Sequence, residues 1–177
     1  WPDDERWEII GGIAYAMTPA PGVWHQQIVI SLARILGFYL LRHRCRLMVS
    51  PLDVVLSEED VVQPDVFVVC DPQKIKDTHI DGAPDLIFEI LSPSTSLKDR
   101  REKKHLYEEH GVKEYILLDP LAFTAERFVL SVEGRYSPGV LFGEEETLPL
   151  DTINFPLVLA DVFDIPGREK NHASPQK

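Results

Sequence analysis

The chain of 177 residues has only two cysteines and no long apolar run. A transmembrane helix needs about 18 consecutive apolar residues, and that lack excludes one. Two cysteines, Cys45 and Cys70, are too few for a zinc cluster or a disulfide framework, which favours a reducing compartment. The opening residues, WPDDERWEII, are too acidic for a signal peptide. We therefore expect a cytoplasmic protein that does not bind membranes.

Several common active-site motifs are missing as well. The sequence has no glycine-rich phosphate loop ending in Lys-Ser or Lys-Thr, no Gly-x-Ser-x-Gly elbow and no His-Glu-x-x-His pattern. Nucleotide hydrolases, serine hydrolases and zinc proteases are therefore unsupported. No internal repeat or low-complexity block is present either, so the fold must be inferred from the hydrophobic pattern.

Positive charge is scarce and unevenly placed. Eighteen Lys and Arg residues face 29 Asp and Glu residues, and the net charge of −11 argues against indiscriminate binding of polyanions. Five of the basic residues nevertheless fall within 98–104 and three more within 42–46. These clusters predict a locally positive face. Its candidate nucleic-acid-binding residues are Lys98, Arg100, Arg101 and Lys104.

The length is that of one ordinary domain, and we expect one over residues 1–167 with a C-terminal tail over 168–177. Gly11 and Gly12 between two short apolar segments predict an opening hairpin. Apolar residues at helical spacing predict a long helix from 23 to about 43, and a second helix is expected over 96–110.

Short β-rich runs punctuated by Pro, Gly, Asp or Ser predict the strands of a sheet. They are 47–49, 52–56, 62–70, 86–91 and 114–118. Residues 124–136 suggest a peripheral hairpin, and the remainder to 167 is predicted to be irregular. The fold class expected from this order is α/β (α+β), a mixed central β-sheet flanked by helices.

Glu89 is the most informative single residue. It stands in the middle of LIFEIL (86–91), where every other residue is apolar. A buried carboxylate is costly unless it meets a cation, a base or a metal. The pattern therefore predicts a partner for Glu89, and a structural ion pair is the alternative to a catalytic site.

Asp65 is the first candidate partner. Alternation along a strand puts Asp65 on the face of Phe67 and Val69, and Glu89 on the face of Ile87 and Leu91. If the two strands are neighbours, the carboxylates converge. Paired oxygen ligands of this kind suit Mg²⁺ or Mn²⁺, which can activate water against a phosphodiester. Alternatively, Asp65 simply starts a strand or caps a turn after Pro64.

The second helix offers a cation to this pair. Asp99, Lys103 and Tyr107 are spaced four residues apart and therefore share one helix face. From that face Lys103 could reach the carboxylates, where a positive charge stabilises a developing anion. A solvated surface lysine is the ordinary alternative.

Several stretches together resemble a known family. They are WEIIGG (7–12), His25, VQPD (62–65), GAPDLIFEILSPST (82–95), DRREK (99–103), Tyr107 and GVKEYILLDP (111–120). Over roughly 7–163 the chain resembles the Uma-type restriction endonucleases, a branch of the PD-(D/E)XK nuclease superfamily. The resemblance implies an αβββαβ restriction-endonuclease-like core, with Asp65 as the motif aspartate and Glu89 as the second acid. The superfamily's lysine usually follows two residues after that acid, but Leu91 stands there, and the resemblance points to Lys103 instead.

Three further residues are secondary candidates besides Asp99 and Tyr107. His25, near the start of the long helix, is either a site residue or a local hydrogen-bonding histidine. Glu8 is a candidate accessory acid. Asp85 shares a face with Glu89 only if the strand is regular from Pro84 onward.

The function expected from these residues is a metal-dependent endonuclease that hydrolyses phosphodiester bonds in DNA. Asp65, Glu89 and Lys103 would be catalytic, Asp65 and Glu89 would bind Mg²⁺ or Mn²⁺, and a homodimer is expected by analogy with nucleases that cut both strands. The acidic charge leaves open a non-catalytic protein-binding or assembly module with the same fold. A nuclease acting on RNA or on structured nucleic acid is also open.

Overall fold

The computed structural model describes residues 6–17 and 20–164, so the predicted tail, 168–177, lies outside the described residues. The strands are β1 (Trp7–Ile10), β2 (Ile13–Ala16), β3 (Arg46–Val49), β4 (Asp53–Val55), β5 (Val61–Val62), β6 (Val66–Val69), β7 (His79–Asp81), β8 (Leu86–Ile90), β9 (Glu114–Asp119), β10 (Thr124–Val129), β11 (Val140–Gly143), β12 (Thr147–Leu150) and β13 (Phe155–Val158). The helices are α1 (Val23–Leu40), α2 (Ser96–Lys98), α3 (Lys104–Glu109) and α4 (Leu159–Val162), with a short 3₁₀ turn at Pro72–Lys74 and a π-helical turn at Asp99–Lys103.

A six-stranded mixed sheet forms the centre of the fold, in the order β11-β10-β9-β8-β6-β3. β8 and β9 run parallel, and the other neighbours run antiparallel. A five-stranded sheet, β2-β1-β5-β4-β7, and the pair β12-β13 complete the strand pairing. The mixed α+β class predicted from the sequence is confirmed, whereas the five-stranded sheet was not predicted.

Both faces of the central sheet are covered, which explains the uninterrupted apolar runs of β6 and β8. Every residue of these two strands is buried. On one face, Ile28, Leu32 and Leu36 of α1 recur every four residues and pack against the sheet. On the other face, Leu106 and Tyr107 of α3 pack against alternate residues of the same strands. A polar side chain on β8 therefore has no route to bulk solvent except at the strand end.

The predicted second helix is present but irregular. α2, the π-helical turn and α3 follow one another without a break over 96–109, which we call the composite helix. The π turn holds both Asp99 and Lys103, and both side chains are buried. Single π turns inside helices are rare and are found frequently at functional sites.

The chain after β9 is more regular than its sequence suggested. The predicted hairpin over 124–136 is wrong in its second strand, because β10 pairs with β11 and only an isolated bridge joins Leu130 to Tyr136. The predicted irregular remainder contains β12, β13 and α4. Each of these elements has only four residues, too few to establish a hydrophobic period.

Cys45 and Cys70 form a disulfide, which the sequence did not predict. β3 and β6 pair antiparallel with Arg46 opposite Val69, so the cysteines stand at the next position of the same register. One bond is not a disulfide framework, and the cytoplasmic location stays a prediction. No helix within residues 6–17 and 20–164 is long and apolar enough to cross a membrane.

Candidate active site

Asp65 and Glu89 lie at one end of the paired strands β6 and β8. These strands run antiparallel with Val66 opposite Phe88, and continuing the register by one residue places Asp65 opposite Glu89. Residues two apart along a strand share a face, and Phe67 and Ile87 both belong to the core beneath the composite helix. The neighbouring strands thus meet the condition under which the two carboxylates converge.

One oxygen of Asp65 is held by two donors. Its Oδ2 accepts a hydrogen bond from the backbone N–H of Ile90 at 2.8 Å and lies 3.0 Å from Nε2 of His25. Because a carboxylate can only accept, the His25 Nε2 hydrogen is the donor. His25 Nδ1 is buried and has no hydrogen-bond partner among the described residues. Asp65 Oδ1 accepts no hydrogen bond from the described residues.

Glu89 is held in the same way, from the opposite side. Its Oε1 accepts hydrogen bonds from Lys103 Nζ and from the Tyr107 hydroxyl, both at 2.8 Å. Its Oε2 accepts none from the part of the chain that the structure describes. Glu89, Lys103 and Tyr107 are each at least 97% buried, with exposures of 3%, 3% and 0%. These hydrogen bonds are therefore formed out of water.

Glu8, a secondary candidate, is part of the same cluster. Its Oε1 lies 2.7 Å from Lys103 Nζ and accepts from the backbone N–H of Gln63, while its Oε2 lies 2.7 Å from Lys98 Nζ. Asp99 completes the group at 3.9 Å from Lys103. Lys103 thus joins β1 of the five-stranded sheet to β8 of the central sheet.

The electrostatics of the cluster follow from burial and from an excess of acid. Burial raises the pKa of Glu89 well above its usual value, Lys103 opposes that rise, and Asp65, Asp99 and Glu8 reinforce it. Burial alone would lower the pKa of Lys103, but Glu89, Glu8 and Asp99 outweigh it and raise that pKa, so Lys103 stays charged. Burial also raises the pKa of Asp99. The single buried ammonium of Lys103 contacts three acids, so a further bound cation would stabilise the cluster.

Glu8 is expected to make stability depend on pH in acid. Burial would raise its pKa, but Lys103 and Lys98 outweigh burial and lower it to about 2 from 4.5. The stabilisation from ionised Glu8 is therefore complete above about pH 4.5 and is lost as the pH falls towards 2, and it amounts to about 3 kcal/mol. Urea unfolding at about pH 5 and pH 2 should show the advantage of the parent over Glu8→Gln shrinking by this amount. An advantage that is equal at both pH values would contradict the assignment.

Asp85 lies outside the cluster. It stands just before β8, where its Oδ2 accepts from the backbone N–H of Cys70 and its Oδ1 pairs with Lys113, both at 2.7 Å. The carboxylate thus fastens the start of β8 to its neighbours. Its four-residue distance from Glu89 separates it from the end of the strand where Asp65 lies.

Most of the predicted nucleic-acid-binding cations have partners within the chain. Lys98 binds Glu8, Arg100 forms an ion pair with Glu126, and Lys104 Nζ lies 4.1 Å from the Phe128 ring centre. Arg101 is exposed. Arg100, Arg101 and Lys104 still border a common surface depression, so a positive patch remains, but it is weaker than the count of charges suggested.

Sequence reasoning missed the backbone contributions to this site. The N–H of Ile90 fixes Asp65, and the N–H of Gln63 fixes Glu8. Backbone donors carry no side-chain signal, and only the pairing of strands distant in sequence brings them to the carboxylates. The position of Glu8 depends likewise on the five-stranded sheet.

The donor set suits a hard divalent cation that keeps several waters. No group of three or more His, Cys, Asp or Glu residues within 6–17 and 20–164 forms a metal cage. Mg²⁺ does not require one, because it is usually bound by one or two carboxylates together with water and substrate phosphate. The unbonded oxygens of Asp65 and Glu89 are the ligands that this chain would supply.

Comparison with known proteins identifies the family of this chain. A family model, Uma2, described as "Putative restriction endonuclease", matches residues 1–160. The chain belongs to the Uma2 family. The match includes every residue of the cluster from Glu8 to Tyr107. Membership of a family so described supports a nuclease.

One related sequence and one solved structure are similar to this Uma2 chain. An uncharacterised protein of Synechocystis sp. is 32% identical over 134 residues, which cover 75% of this chain and 70% of the relative. The crystal structure of a "putative nuclease belonging to DUF820" from Anabaena variabilis superimposes with a TM-score of 0.74 and 20% identity, over 89% of each chain. The second likeness shows that the fold is shared.

Proposed function

We propose that this Uma2 protein is a Mg²⁺- or Mn²⁺-dependent endonuclease that hydrolyses phosphodiester bonds in DNA. The observation that carries the proposal is the difference between the two oxygens of each carboxylate. In both Asp65 and Glu89, one oxygen is occupied by two protein donors, while the other accepts no hydrogen bond from the described residues. The donors fix each carboxylate and leave one oxygen to face a ligand.

A purely structural role accounts poorly for this arrangement. A structural ion pair is most favourable when the remaining lone pairs are also satisfied. Glu89 is instead surrounded by Asp65, Asp99 and Glu8, all of which raise its pKa. Among the described residues, four acids meet only two lysine side chains in this cluster, Lys98 and Lys103. Such an excess of buried negative charge is costly, and a divalent cation would offset that cost.

Each residue has a definable part in hydrolysis. Asp65 and Glu89 would hold the cation, which when bound supplies Lewis acidity and lowers the pKa of a coordinated water. Lys103 stays protonated beside Glu89, where its charge can stabilise negative charge that develops on the phosphate oxygens. Tyr107 holds Glu89 and His25 holds Asp65 in position by hydrogen bonds.

The proposal is tested by incubating a panel of single-stranded, duplex and branched DNA and RNA with Mg²⁺ or Mn²⁺. The Glu89→Gln protein is run in parallel as the control for contaminating nucleases. Cleavage by the parent alone supports the proposal. Cleavage that is equal in both proteins, or absent from both, overturns it, and cleavage of RNA alone replaces DNA as the substrate.

One observation favours a non-catalytic module that binds or assembles with proteins. The chain carries a net charge of −11, and Lys98 and Arg100 are already paired with acids of the chain. Such a module would not need a divalent cation. Retention of full Mn²⁺ affinity in both Asp65→Asn and Glu89→Gln would favour it. We further propose a homodimer and a cytoplasmic location, which sedimentation and cell fractionation would test.

His25 is expected to act by positioning Asp65. Replacing it with Ala removes the Nε2 hydrogen bond, and outer contacts of this kind are worth about 10- to 100-fold in metal affinity. Isothermal titration with Mn²⁺ should show that loss in His25→Ala and partial rescue in His25→Gln, whose amide can still donate. Thermal unfolding is the control that both variants are folded. An equal Mn²⁺ affinity in the parent and in His25→Ala would exclude the positioning role.

A further inference from the structure

A cavity of about 510 Å³ opens beside the candidate active site. It lies where α1 begins, next to the ends of the parallel strands β8 and β9. Its apolar lining comes from Val23, Trp24, Leu91, Pro93, Pro120 and Leu121. His25 lines the cavity as well, and its Nε2 lies 3.0 Å from Asp65 Oδ2, so one histidine side chain contacts both the cavity and the Asp65 carboxylate.

Trp24 gives this cavity an aromatic surface. Its ring centre lies 6.1 Å from that of Phe123 with the planes tilted by 42°, so a neighbour supports the indole from one side. The residue is nevertheless 39% exposed. A large aromatic side chain held by packing and partly open to solvent is the arrangement on which nucleic-acid bases stack.

The volume and chemistry of the cavity fit one nucleotide. Small-molecule sites in proteins measure about 300–1,000 Å³. Ser92, Ser96 and Asp119 add a few polar groups to the apolar wall, as expected where a ring with polar edges is to be held. A base within a duplex can enter only after it is unpaired and unstacked, whereas an unpaired base enters without that cost.

We propose that this cavity receives the base of an unpaired DNA nucleotide adjacent to the scissile phosphate, with Trp24 as the stacking surface. The inference rests on the proposed nuclease function and narrows its substrate to single-stranded DNA or DNA with unpaired ends. It also bears on the acidic charge of the chain. Stacking supplies affinity that does not depend on lysine and arginine, so fewer phosphate contacts are needed.

Binding can be measured apart from cleavage. Fluorescence anisotropy in EDTA with a labelled single-stranded oligodeoxynucleotide is expected to show weaker binding by Trp24→Ala than by the parent, by about 5- to 150-fold. Trp24→Phe, which keeps a ring, should retain most of the affinity. Phe38→Ala is the matched control, because Phe38 is 79% exposed on the same helix, about 21 Å along its axis. It should bind like the parent.

A second arm alters the DNA instead of the protein. An oligodeoxynucleotide with abasic residues throughout should bind the parent and Trp24→Ala equally, because the group that stacks is gone. Equal binding of the normal oligonucleotide by parent and Trp24→Ala overturns the proposal, as does parental preference for the duplex.

The outcomes also separate this inference from the proposed function. If cleavage requires Glu89 but does not change in Trp24→Ala on any substrate, the nuclease function is supported and base binding in the cavity is overturned. If binding depends on Trp24 but the protein cleaves no substrate, base binding in the cavity is supported and the proposed nuclease function is overturned.

Discussion

Lys103→Met is expected to lower the free energy of unfolding by about 3–5 kcal/mol at neutral pH, because removing one partner of a buried ion pair leaves the other uncompensated. Lys103 is 3% exposed and faces Glu8, Glu89 and Asp99. Methionine keeps the volume of the chain but not its charge. The measurement is urea unfolding, with midpoint and slope compared with those of the parent.

The loss should depend on pH in a definite direction. Without the ammonium, the three acids bind protons more readily in the folded protein than in the unfolded chain. Folding is then favoured as the pH falls, so the deficit should be smaller at about pH 5 than at pH 7. Lys104→Met is the matched control, since Lys104 lies next along the helix and contacts the Phe128 ring. That contact is worth about 1 kcal/mol, and a similar small loss in Lys103→Met would show that the cluster does not depend on its cation.

Glu89→Gln is expected to reduce cleavage by at least about 100-fold while leaving stability within about 1 kcal/mol of the parent. The amide oxygen can still accept from Lys103 and Tyr107, but the charge that would bind the metal is gone. Burial and neighbouring acids already raise the pKa of Glu89, so losing its charge should cost little in folding. Mn²⁺ titration, cleavage and urea unfolding of one preparation measure all three effects.

Asp85→Asn, just before β8, is expected to have the opposite effect: a lower stability and an unchanged Mn²⁺ affinity. Asp85 binds Cys70 N and Lys113 Nζ and lies outside the cluster. The substitution weakens both contacts, so we expect a loss of stability with Mn²⁺ affinity retained. If Asp85→Asn abolished Mn²⁺ binding in a folded protein while Glu89→Gln did not, the metal site would have to be moved to the other end of β8.

The sequence predicted those parts of the fold that rest on strong local patterns. The glycine hairpin, the long helix α1 and the apolar strand β8 have clear periods or punctuation, and all three are confirmed. The four-residue strands β12 and β13 are too short to show a period. The five-stranded sheet brings together residues distant in the chain, and no local pattern predicts which short strands will pair.

The same distinction applies to the candidate site. Alternation along β6 and β8 was enough to put Asp65 and Glu89 on one face, and helical spacing was enough to join Lys103 with Tyr107. The contact between Lys103 and Glu8 depends instead on how the opening hairpin meets the composite helix. The cavity at Trp24 depends on the ends of four separate elements: α1, β8, β9 and the composite helix. Such features exist only after the chain has folded.

Lys103 lies on a helix and not on strand β8, and this position affects how related proteins can be recognised from their sequences. Lysine and acid are 14 residues apart in the chain, yet their charged atoms are 2.8 Å apart. A search string that demands lysine two positions after the acid passes over this protein, because it finds Leu91. A structural template defined by the distances between an ammonium and two carboxylates would identify this protein. It would also identify related proteins in which the lysine belongs to a different secondary-structure element.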